Sequence, residues 1–134
     1  SSINGMVYIR GHARDYDQWR QMGLAGWGYA DVLPYFKRSE AFEGGADAWH
    51  GGEGPLRVST ALSPNPIYQA VISAGAEAGH PITPDFNGFQ QEGWGRYQVT
   101  IHDGERWSAA RGYLHPVLQR PNLTTLTGAR TTRI

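Results

Sequence analysis

The sequence predicts an α+β fold, and three observations support that class. Several segments carry apolar side chains at helical spacing, others alternate apolar and polar residues as strands do, and the two kinds of segment are interleaved along the chain. The length of 134 residues suits one domain. An aromatic share of 12% together with 18 glycines indicates a packed chain with many forced turns.

The chain begins with a predicted extended segment and two predicted helices. Residues 6–10 are rich in β-branched and aromatic side chains, which is typical of a short strand or a buried extended segment. Residues 12–22 have helical spacing, and Gly23 is suited to ending that helix. A second helix is predicted over about 30–42, with Pro34 either at its first position or distorting its first turn.

A glycine-rich loop, a strand and the clearest helix follow. The loop is predicted over 43–55, and residues 56–60 alternate like a half-buried strand. The helix is predicted over 66–78, with Asn65 as its N-cap and Gly79 in its C-terminal cap.

The last third of the chain predicts a hairpin and several short elements. Residues 97–102 alternate as a strand with its odd-numbered side chains buried, and Asp103-Gly104 is a hairpin signal. The other elements are a loop, a short helix and two strands, over 81–95, 109–114, 123–127 and 129–134.

The charge balance and the absence of cysteine exclude several classes of function. Twelve basic side chains match twelve acidic ones, so no net charge attracts nucleic acid or an anionic membrane. Without cysteine there is no disulfide framework, thiolate metal site or cysteine nucleophile. No apolar run approaches the roughly 20 residues of a membrane-spanning helix. We therefore expect no nucleic-acid partner and no membrane span.

The spacing of the histidines does not predict a metal site. No two of them have the i, i+4 spacing of a helical metal site, and each is interpreted as a surface or structural residue. They are His12, His50, His80, His102 and His115. The arginines from Arg96 onward could form a phosphate- or RNA-binding strip, an alternative that the neutral chain disfavours.

Two functions of other classes stay open. Exposed tryptophans could form a sugar-stacking platform, as in a carbohydrate-binding module. The candidates are Trp27, Trp49, Trp94 and Trp107. A purely structural or interaction domain would bind no ligand, and packing against the core is the default interpretation of these rings.

The first residues indicate a ligand site. Ser1 leads directly into an apolar stretch, and small residues flank Asn4. Small residues allow the backbone to approach a flat ligand closely and leave N–H groups pointing outward. At the other end, residues 131–134 are a β-branched run without a polar tail. Natural termini are usually polar and frayed, so we expect both ends to be cuts through ordered structure.

Short motifs in a definite order cover essentially the whole chain. They are Tyr8-Ile9-Arg10-Gly11, Asp15-Tyr16-Asp17, Gly26-Trp27, Asp31-Val32-Leu33-Pro34-Tyr35-Phe36, His50-Gly51, Gly54-Pro55-Leu56, Asp85-Phe86-Asn87-Gly88, Ser108-Ala109-Ala110-Arg111 and Arg120-Pro121-Asn122-Leu123. In this order they resemble the glucose–methanol–choline (GMC) family of flavin oxidoreductases, and most of all its choline- and alcohol-dehydrogenase-like branch. The residues around Asn4 match the later positions of the family's first signature, whose two preceding glycines are not in this sequence.

The resemblance implies an FAD-dependent enzyme that oxidises a small-molecule alcohol, passing a hydride from the carbinol carbon to flavin N5. Residues 4–7 would line the isoalloxazine ring, and Thr131 would contact the adenine through its backbone. The implied cofactor-binding residues are Ser1, Asn4, Gly5, Met6, Val7 and Thr131. Some relatives carry a flavin-linking histidine at the place of Ile3, so the resemblance implies non-covalent FAD here.

The same comparison predicts that the chain is an internal fragment. The family's amino-terminal Rossmann unit and its carboxy-terminal catalytic histidine have no counterpart here, so no catalytic residue is assigned. Residues 1–29 would hold the end of the flavin signature and a lid or linker. Residues 30–134 would hold substrate-domain helices and part of an antiparallel sheet, with 122–134 returning toward the FAD-binding domain. The particular alcohol, the electron acceptor, the oligomeric state and the localisation stay open.

Overall fold

The computed structural model describes residues 4–133 and confirms the predicted α+β class. The helices are α1 (Ala13–Gln21), α2 (Tyr29–Ser39) and α3 (Ile67–Glu77). The strands are β1 (Val7–Tyr8), β2 (Glu40–Phe42), β3 (Leu56–Thr60), β4 (Gln98–Val99), β5 (Ile101–His102) and β6 (Glu105–Arg106). A π-helical turn, Ala110–Leu114, and a 3₁₀ turn, His115–Val117, follow β6.

Within the described residues, the main sheet has four strands in the order β1-β4-β3-β2. β4 is antiparallel to both of its neighbours, with Val99 opposite Val7 on one side and opposite Ser59 on the other. β2 is parallel to β3, with Glu40 opposite Leu56. β5 and β6 form a separate antiparallel hairpin. This order places β1, and the residues that flank it, at an edge of the sheet.

The centre of the molecule combines a small apolar core with a larger set of polar side chains. The buried apolar side chains are Ala41, Val58, Phe86 and Val99. The buried polar and charged side chains are Arg10, Glu40, His50, Thr83, Asn87 and Gln98. Because a buried polar group is costly unless it is hydrogen-bonded, these side chains must satisfy one another.

The first two helices pack through aromatic rings. His12 caps α1: its Nδ1 accepts a backbone hydrogen bond, and its own N–H donates to the carboxylate of Asp15. Tyr16 of α1 meets Phe36 of α2 edge to face, with ring centroids 5.7 Å apart. Gly23 has a φ of 98° after α1, so the predicted stop is confirmed.

The second predicted helix is too long. Its last predicted turn, residues 40–42, forms β2 instead. The backbone of this turn finds partners outside the helix, because Phe42 N donates to Gly51 O and Gly54 N donates to Glu40 O, both at 2.8 Å. Pairing with β3 therefore overrides the helical spacing.

Pro34 lies inside α2, so neither of its two predicted placements is right. α2 begins at Tyr29, after Gly28, whose N–H donates to the carboxylate of Asp31 at 3.0 Å. The first turn is thereby capped in the usual way. The missing N–H of Pro34 removes only the intrahelical hydrogen bond that residue 30 would accept.

The most local predictions are confirmed. β3 coincides with the strand predicted over 56–60, and α3 lies within the helix predicted over 66–78. Asn65 Oδ1 accepts a hydrogen bond from Ile67 N at 3.0 Å, and Gly79 has a φ of 84°. Cap residues next to a clear apolar stripe are therefore sufficient to place this helix.

The hairpin predicted at Asp103 and Gly104 is also confirmed. These residues connect β5 to β6 and have φ values of 51° and 74°. Positive φ at both central positions is what a type I′ turn requires, and Asp-Gly tolerates it well.

The strand predicted over 97–102 is divided at Thr100, where the chain changes partner. The N–H of Thr100 donates to the carbonyl of Met6, just before β1. The carbonyl of Thr100 accepts from the N–H of Trp107, just after β6. The buried face also differs from the prediction, because Tyr97 is 48% exposed and Gln98 only 3%. Gln98 is buried since both ends of its amide have hydrogen-bond partners.

The predicted elements near the end of the chain are altered or wrong. The helix predicted over 109–114 is a π-helical turn followed by a 3₁₀ turn. The strands predicted over 123–127 and 129–134 are not formed in the part of the chain that the structure describes. Leu126 in the first of them is 83% exposed. β-branched composition alone does not make a strand without a partner strand beside it.

Candidate functional site

The segment expected to face a cofactor, residues 4–7, leads into β1 at the edge of the sheet. Asn4, Gly5 and Val7 are exposed, and nothing lies within 4 Å of the place that a Cβ of Gly5 would occupy. Met6 has a φ of 69°, in the left-handed region that a side chain of this kind rarely adopts. Local backbone strain of this sort is concentrated at functional sites.

Two carbonyl groups of this segment accept hydrogen bonds from a residue of β6 and from the residue between β4 and β5. Arg106 Nη1 donates to Asn4 O at 2.8 Å. Thr100 donates to Met6 O from its N–H at 2.8 Å and from its hydroxyl at 3.3 Å. Among the described residues, none accepts a hydrogen bond from the N–H of Gly5 or Met6. Within residues 4–133, these two N–H groups are therefore left without a hydrogen-bond acceptor.

Of the other residues expected at the cofactor, the structure describes only Thr131. Ser1 and Ile3 lie outside the described residues. Thr131 is exposed in an irregular stretch, and no hydrogen bond joins it to another residue in the range 4–133.

A series of buried ionisable side chains in contact with one another starts at Arg10, two residues after the end of β1. Its Nη2 forms an ion pair with Glu40 Oε2 at 2.5 Å, and the two side chains are 3% and 0% exposed. Its Nη1 donates to Trp49 O at 2.7 Å, and its Nε donates to the Tyr8 hydroxyl at 3.4 Å. Burial raises the pKa of that hydroxyl, although the charge of Arg10 acts in the opposite direction.

His50 continues the series between two carboxylates. Its Nδ1 lies 3.2 Å from both carboxylate oxygens of Glu40, and its Nε2 lies 2.8 Å from Asp85 Oδ2. The imidazole is fully buried and stacks on the ring of Phe42, with centroids 4.3 Å apart. Glu40 thereby joins the positive charge of Arg10 to the imidazole.

The two carboxylates determine the titration of His50. Burial acts to lower its pKa, but hydrogen bonds to Glu40 and Asp85 and the negative charges of both groups outweigh burial. The pKa of His50 is therefore raised above its ordinary value of 6.5. Asp47 supports the ring from the backbone side, since its carboxylate accepts from the N–H groups of Trp49 and His50 at 2.7 and 2.6 Å. Burial opposes these bonds, but they hold the pKa of Asp47 below its ordinary value.

Asp85 and Asn87 lead the network back to β1. Asp85 Oδ1 accepts from Asn87 N and from Gln98 Nε2, both at 2.8 Å. Asn87 Oδ1 accepts from Arg10 N at 2.7 Å, and its Nδ2 donates to Tyr8 O at 3.1 Å and to Gln98 Oε1 at 2.6 Å. The amide of Asn87 therefore pairs with the backbone of Tyr8, in β1, and of Arg10, two residues further on, much as a neighbouring strand would.

We expect Asn87→Ala to lower the free energy of unfolding by about 1–3 kcal/mol, because it leaves buried donors and acceptors on β1 and Gln98 without partners. Urea unfolding followed by tryptophan fluorescence measures the change. Asn122→Ala is the matched control, since Asn122 is exposed. Equal stability of the two variants would contradict the assignment of Asn87.

The sequence prediction missed this network and treated His50 as one of several surface or structural histidines. A signal was nevertheless present. Arg10 ends a β-branched and aromatic run, and Glu40 begins the run Glu40-Ala41-Phe42. A charge placed inside an apolar run indicates a buried partner of opposite sign. The identity of the partner is not contained in the local pattern.

The four tryptophans considered for a sugar platform each pack against a different neighbour. Trp27 meets Trp19, Trp49 meets Phe89, Trp94 meets His80, and Trp107 meets His102, with ring centroids 5.3–6.2 Å apart. These contacts do not join the four rings into one surface.

Two features are absent from residues 4–133. Within this range, no helix combines the length and the apolar character needed to cross a bilayer. The same residues contain no cluster of three or more histidine and acidic side chains arranged to hold a metal ion.

Known sequences match the chain along its whole length. The family model described as GMC oxidoreductase covers residues 1–134. An oxygen-dependent choline dehydrogenase from Brucella anthropi is 56% identical over 96% of this chain. The mitochondrial choline dehydrogenase of Mus musculus is 54% identical over 92% of it. The chain spans only 23% and 21% of these two relatives, or about a quarter of their length.

Solved structures agree with the sequence matches. The crystal structure of pyridoxine 4-oxidase from Mesorbium loti superposes with a TM-score of 0.84 at 34% identity, covering 91% of this chain and 25% of that one. An FAD-dependent oxidoreductase from Chaetomium thermophilum gives a TM-score of 0.81 at 30% identity, covering 90% of this chain and 23% of that one. Sequence and fold together show that the chain belongs to the GMC oxidoreductase family.

Proposed function

We propose that the chain is part of an FAD-dependent oxidoreductase that acts on the CH–OH group of a small-molecule alcohol. The observation that carries this proposal is the family match over all 134 residues. When bound, FAD supplies a hydride acceptor, flavin N5, for the carbinol carbon. Because the chain spans about a quarter of its relatives, this activity belongs to the full-length protein.

The geometry of residues 4–7 fits contact with a flat, electron-accepting ring. The open space over Gly5 allows a close approach, and the N–H groups of Gly5 and Met6 have no acceptor among the described residues. Arg106 and Thr100 fix the neighbouring carbonyls, so these N–H groups are held before a ligand arrives. Preorganised N–H donors stabilise negative charge on a bound ring.

Two other contacts belong to the proposal. Ser1 would extend the contact made by residues 4–7, and the backbone of Thr131 would contact the adenine. Both follow from the resemblance to the family and stay predictions. The same holds for the division of the chain into 1–29, with the flavin signature and lid, and 30–134, with substrate-domain elements.

The flavin is proposed to be non-covalent, because Ile3 stands where some relatives carry a flavin-linking histidine and its side chain cannot form that bond. We expect the purified full-length protein to be yellow and acid precipitation to release all FAD into the supernatant. Protease digestion of the pellet followed by flavin fluorescence is the control for incomplete extraction. Flavin attached to a peptide that contains Ile3 would contradict non-covalent binding, and a folded, flavin-free protein would contradict the function itself.

Choline is the first substrate to test, because relatives 54–56% identical to this chain are named choline dehydrogenases. Turnover of choline should be compared with turnover of its uncharged carbon analogue, 3,3-dimethylbutan-1-ol. Oxygen and a quinone-like dye should both be supplied, since the electron acceptor stays open.

No residue of the chain is proposed as the base that takes the hydroxyl proton. His50 is fully buried, and both of its ring nitrogens face carboxylates. A substrate hydroxyl therefore cannot reach it.

A further inference from the structure

Both ring nitrogens of His50 face groups that can only accept hydrogen bonds. Nδ1 lies 3.2 Å from the carboxylate of Glu40, and Nε2 lies 2.8 Å from that of Asp85. An ionised carboxylate has no proton to donate, so each ring nitrogen must carry one. A neutral ring would leave a lone pair against a carboxylate in a buried site, which is costly.

The charges of the network lead to the same conclusion. Arg10, Glu40, His50 and Asp85 follow one another through direct contacts. With a protonated His50, positive and negative charges alternate and sum to zero. Loss of that proton would leave one unbalanced negative charge among largely buried groups, and such a charge is strongly unfavourable.

The other groups around His50 do not supply a positive charge that could balance the two carboxylates in place of the protonated ring. Asp47 adds a negative charge near the backbone of His50, and Lys37 Nζ donates to the carbonyl oxygen of Asp47 at 2.5 Å. The Tyr8 hydroxyl contacts Arg10, and its raised pKa keeps it neutral. From β2, the ring of Phe42 covers the face of the imidazole and carries no charge.

The network connects His50 to the segment proposed to face the flavin. One carboxylate oxygen of Asp85 accepts a hydrogen bond from the protonated Nε2 of His50. The other accepts from the backbone N–H of Asn87 and so orients that residue. Asn87 then binds the backbone of Tyr8 and Arg10, directly after residues 4–7. A change in the charge of His50 therefore reaches the segment through two intervening side chains.

We propose that His50 is held as an imidazolium between Glu40 and Asp85, that it thereby positions residues 4–7, and that it makes retention of the flavin dependent on pH. The flavin part of this proposal rests on the proposed function. His50 is a positioning residue, because it acts through Asp85 and Asn87 and touches neither cofactor nor substrate.

The direction of the pH dependence follows from the raised pKa of His50. The stabilisation is fully present below the ordinary value of 6.5 and is lost as the pH rises through the higher pKa of the folded protein. If flavin binding and His50 protonation are coupled, the affinity for FAD falls over that range. The fall is at most about tenfold per pH unit, because one proton is involved.

The test uses the full-length protein with ¹⁵N-labelled histidine. Ring nitrogen shifts, with an NOE to Phe42 as the assignment, report the charge of His50 without any substitution. Asp85→Asn is the diagnostic variant: its amide can donate to Nε2 of a neutral ring, and its oxygen keeps the contacts to Asn87 and Gln98. His115→Gln is the control, since His115 is exposed. FAD dissociation constants from pH 6 to pH 9 are measured for all proteins and for His50→Gln.

We expect His50 to be mainly an imidazolium at pH 6.5 in the unmodified protein and in the His115→Gln variant, and its titration midpoint to be lower in Asp85→Asn. The FAD affinity of the unmodified protein should fall with a midpoint equal to that of the His50 titration. Visible circular dichroism of the flavin should change at the same midpoint, and both effects should be absent in His50→Gln.

A His50 that is mainly neutral at pH 6.5 in the unmodified protein overturns the proposal. So does an unchanged pH profile of FAD affinity and flavin dichroism in His50→Gln. If the unmodified protein binds no FAD, the proposed function fails and the flavin part of this inference fails with it. The nuclear magnetic resonance results would still decide separately whether His50 is an imidazolium.

Discussion

Replacing Glu40 by glutamine is expected to lower the free energy of unfolding by about 3–5 kcal/mol, the range for removing one partner of a buried ion pair. Glu40 is 0% exposed and accepts hydrogen bonds from Arg10, His50 and the N–H of Gly51. Glutamine keeps the size of the side chain but offers one acceptor oxygen in place of two. It also leaves the guanidinium of Arg10 without a buried counter-charge.

Equilibrium unfolding in urea at pH 6 measures this effect, because His50 of the unmodified protein is then charged and the buried network is intact. Glu53→Gln is the matched control, because Glu53 lies exposed in the loop before β3. Its substitution should change stability by no more than about 0.5 kcal/mol. If Glu40→Gln is no more destabilising than Glu53→Gln, the buried network does not stabilise the fold.

Replacing Gly51 by alanine is expected to prevent folding, with a loss above about 4 kcal/mol. A Cβ on Gly51 would lie 1.8 Å from Lys37 O and 2.8 Å from Glu40 O. Both oxygens belong to the backbone at the junction of α2 and β2, so neither can rotate away as a side chain would. The junction would have to move, and the ion pair of Glu40 with Arg10 would move with it.

The yield of soluble protein and the thermal unfolding midpoint measure this result. Gly5→Ala is the control for stability, because nothing lies within 4 Å of its Cβ position and its φ is not positive. A Gly51→Ala protein that unfolds at the same temperature as Gly5→Ala would show that the loop at residue 51 approaches α2 less closely than described.

Elements whose causes lie within a few residues of one another could be predicted from the sequence. α3 follows from an apolar stripe between Asn65 and Gly79, and the hairpin follows from Asp103-Gly104. Cap and turn residues act through their own backbone geometry, so the local pattern is sufficient.

Elements decided by distant partners could not be predicted in the same way. Residues 40–42 have helical spacing, but they pair with β3 and with the loop around Gly51. Residues 123–127 have strand composition and no described partner. The alternating pattern predicts that Gln98 lies on the exposed face of a strand. Its amide is instead buried, because it is hydrogen-bonded to Asp85 and Asn87 in a distant loop.

One part of the candidate site could likewise be predicted from the sequence, and another part could not. The contact of residues 4–7 with a flavin could be proposed from the sequence, because the resemblance to the family's first signature rests on neighbouring residues. The network of His50 could not, since its members come from four separate segments and only their meeting makes the charges balance.

The way in which Asn87 holds β1 also has a consequence for the order of folding. The hydrogen bond from Arg10 N to Asn87 spans 77 residues, and that from Thr100 to Met6 spans 94. Closing such long loops costs chain entropy before the contacts form, whereas β2, β3 and the hairpin close much shorter ones. We therefore infer that residues 4–10 dock last, onto a sheet already assembled, so that the surface proposed for the flavin is completed in the final step of folding.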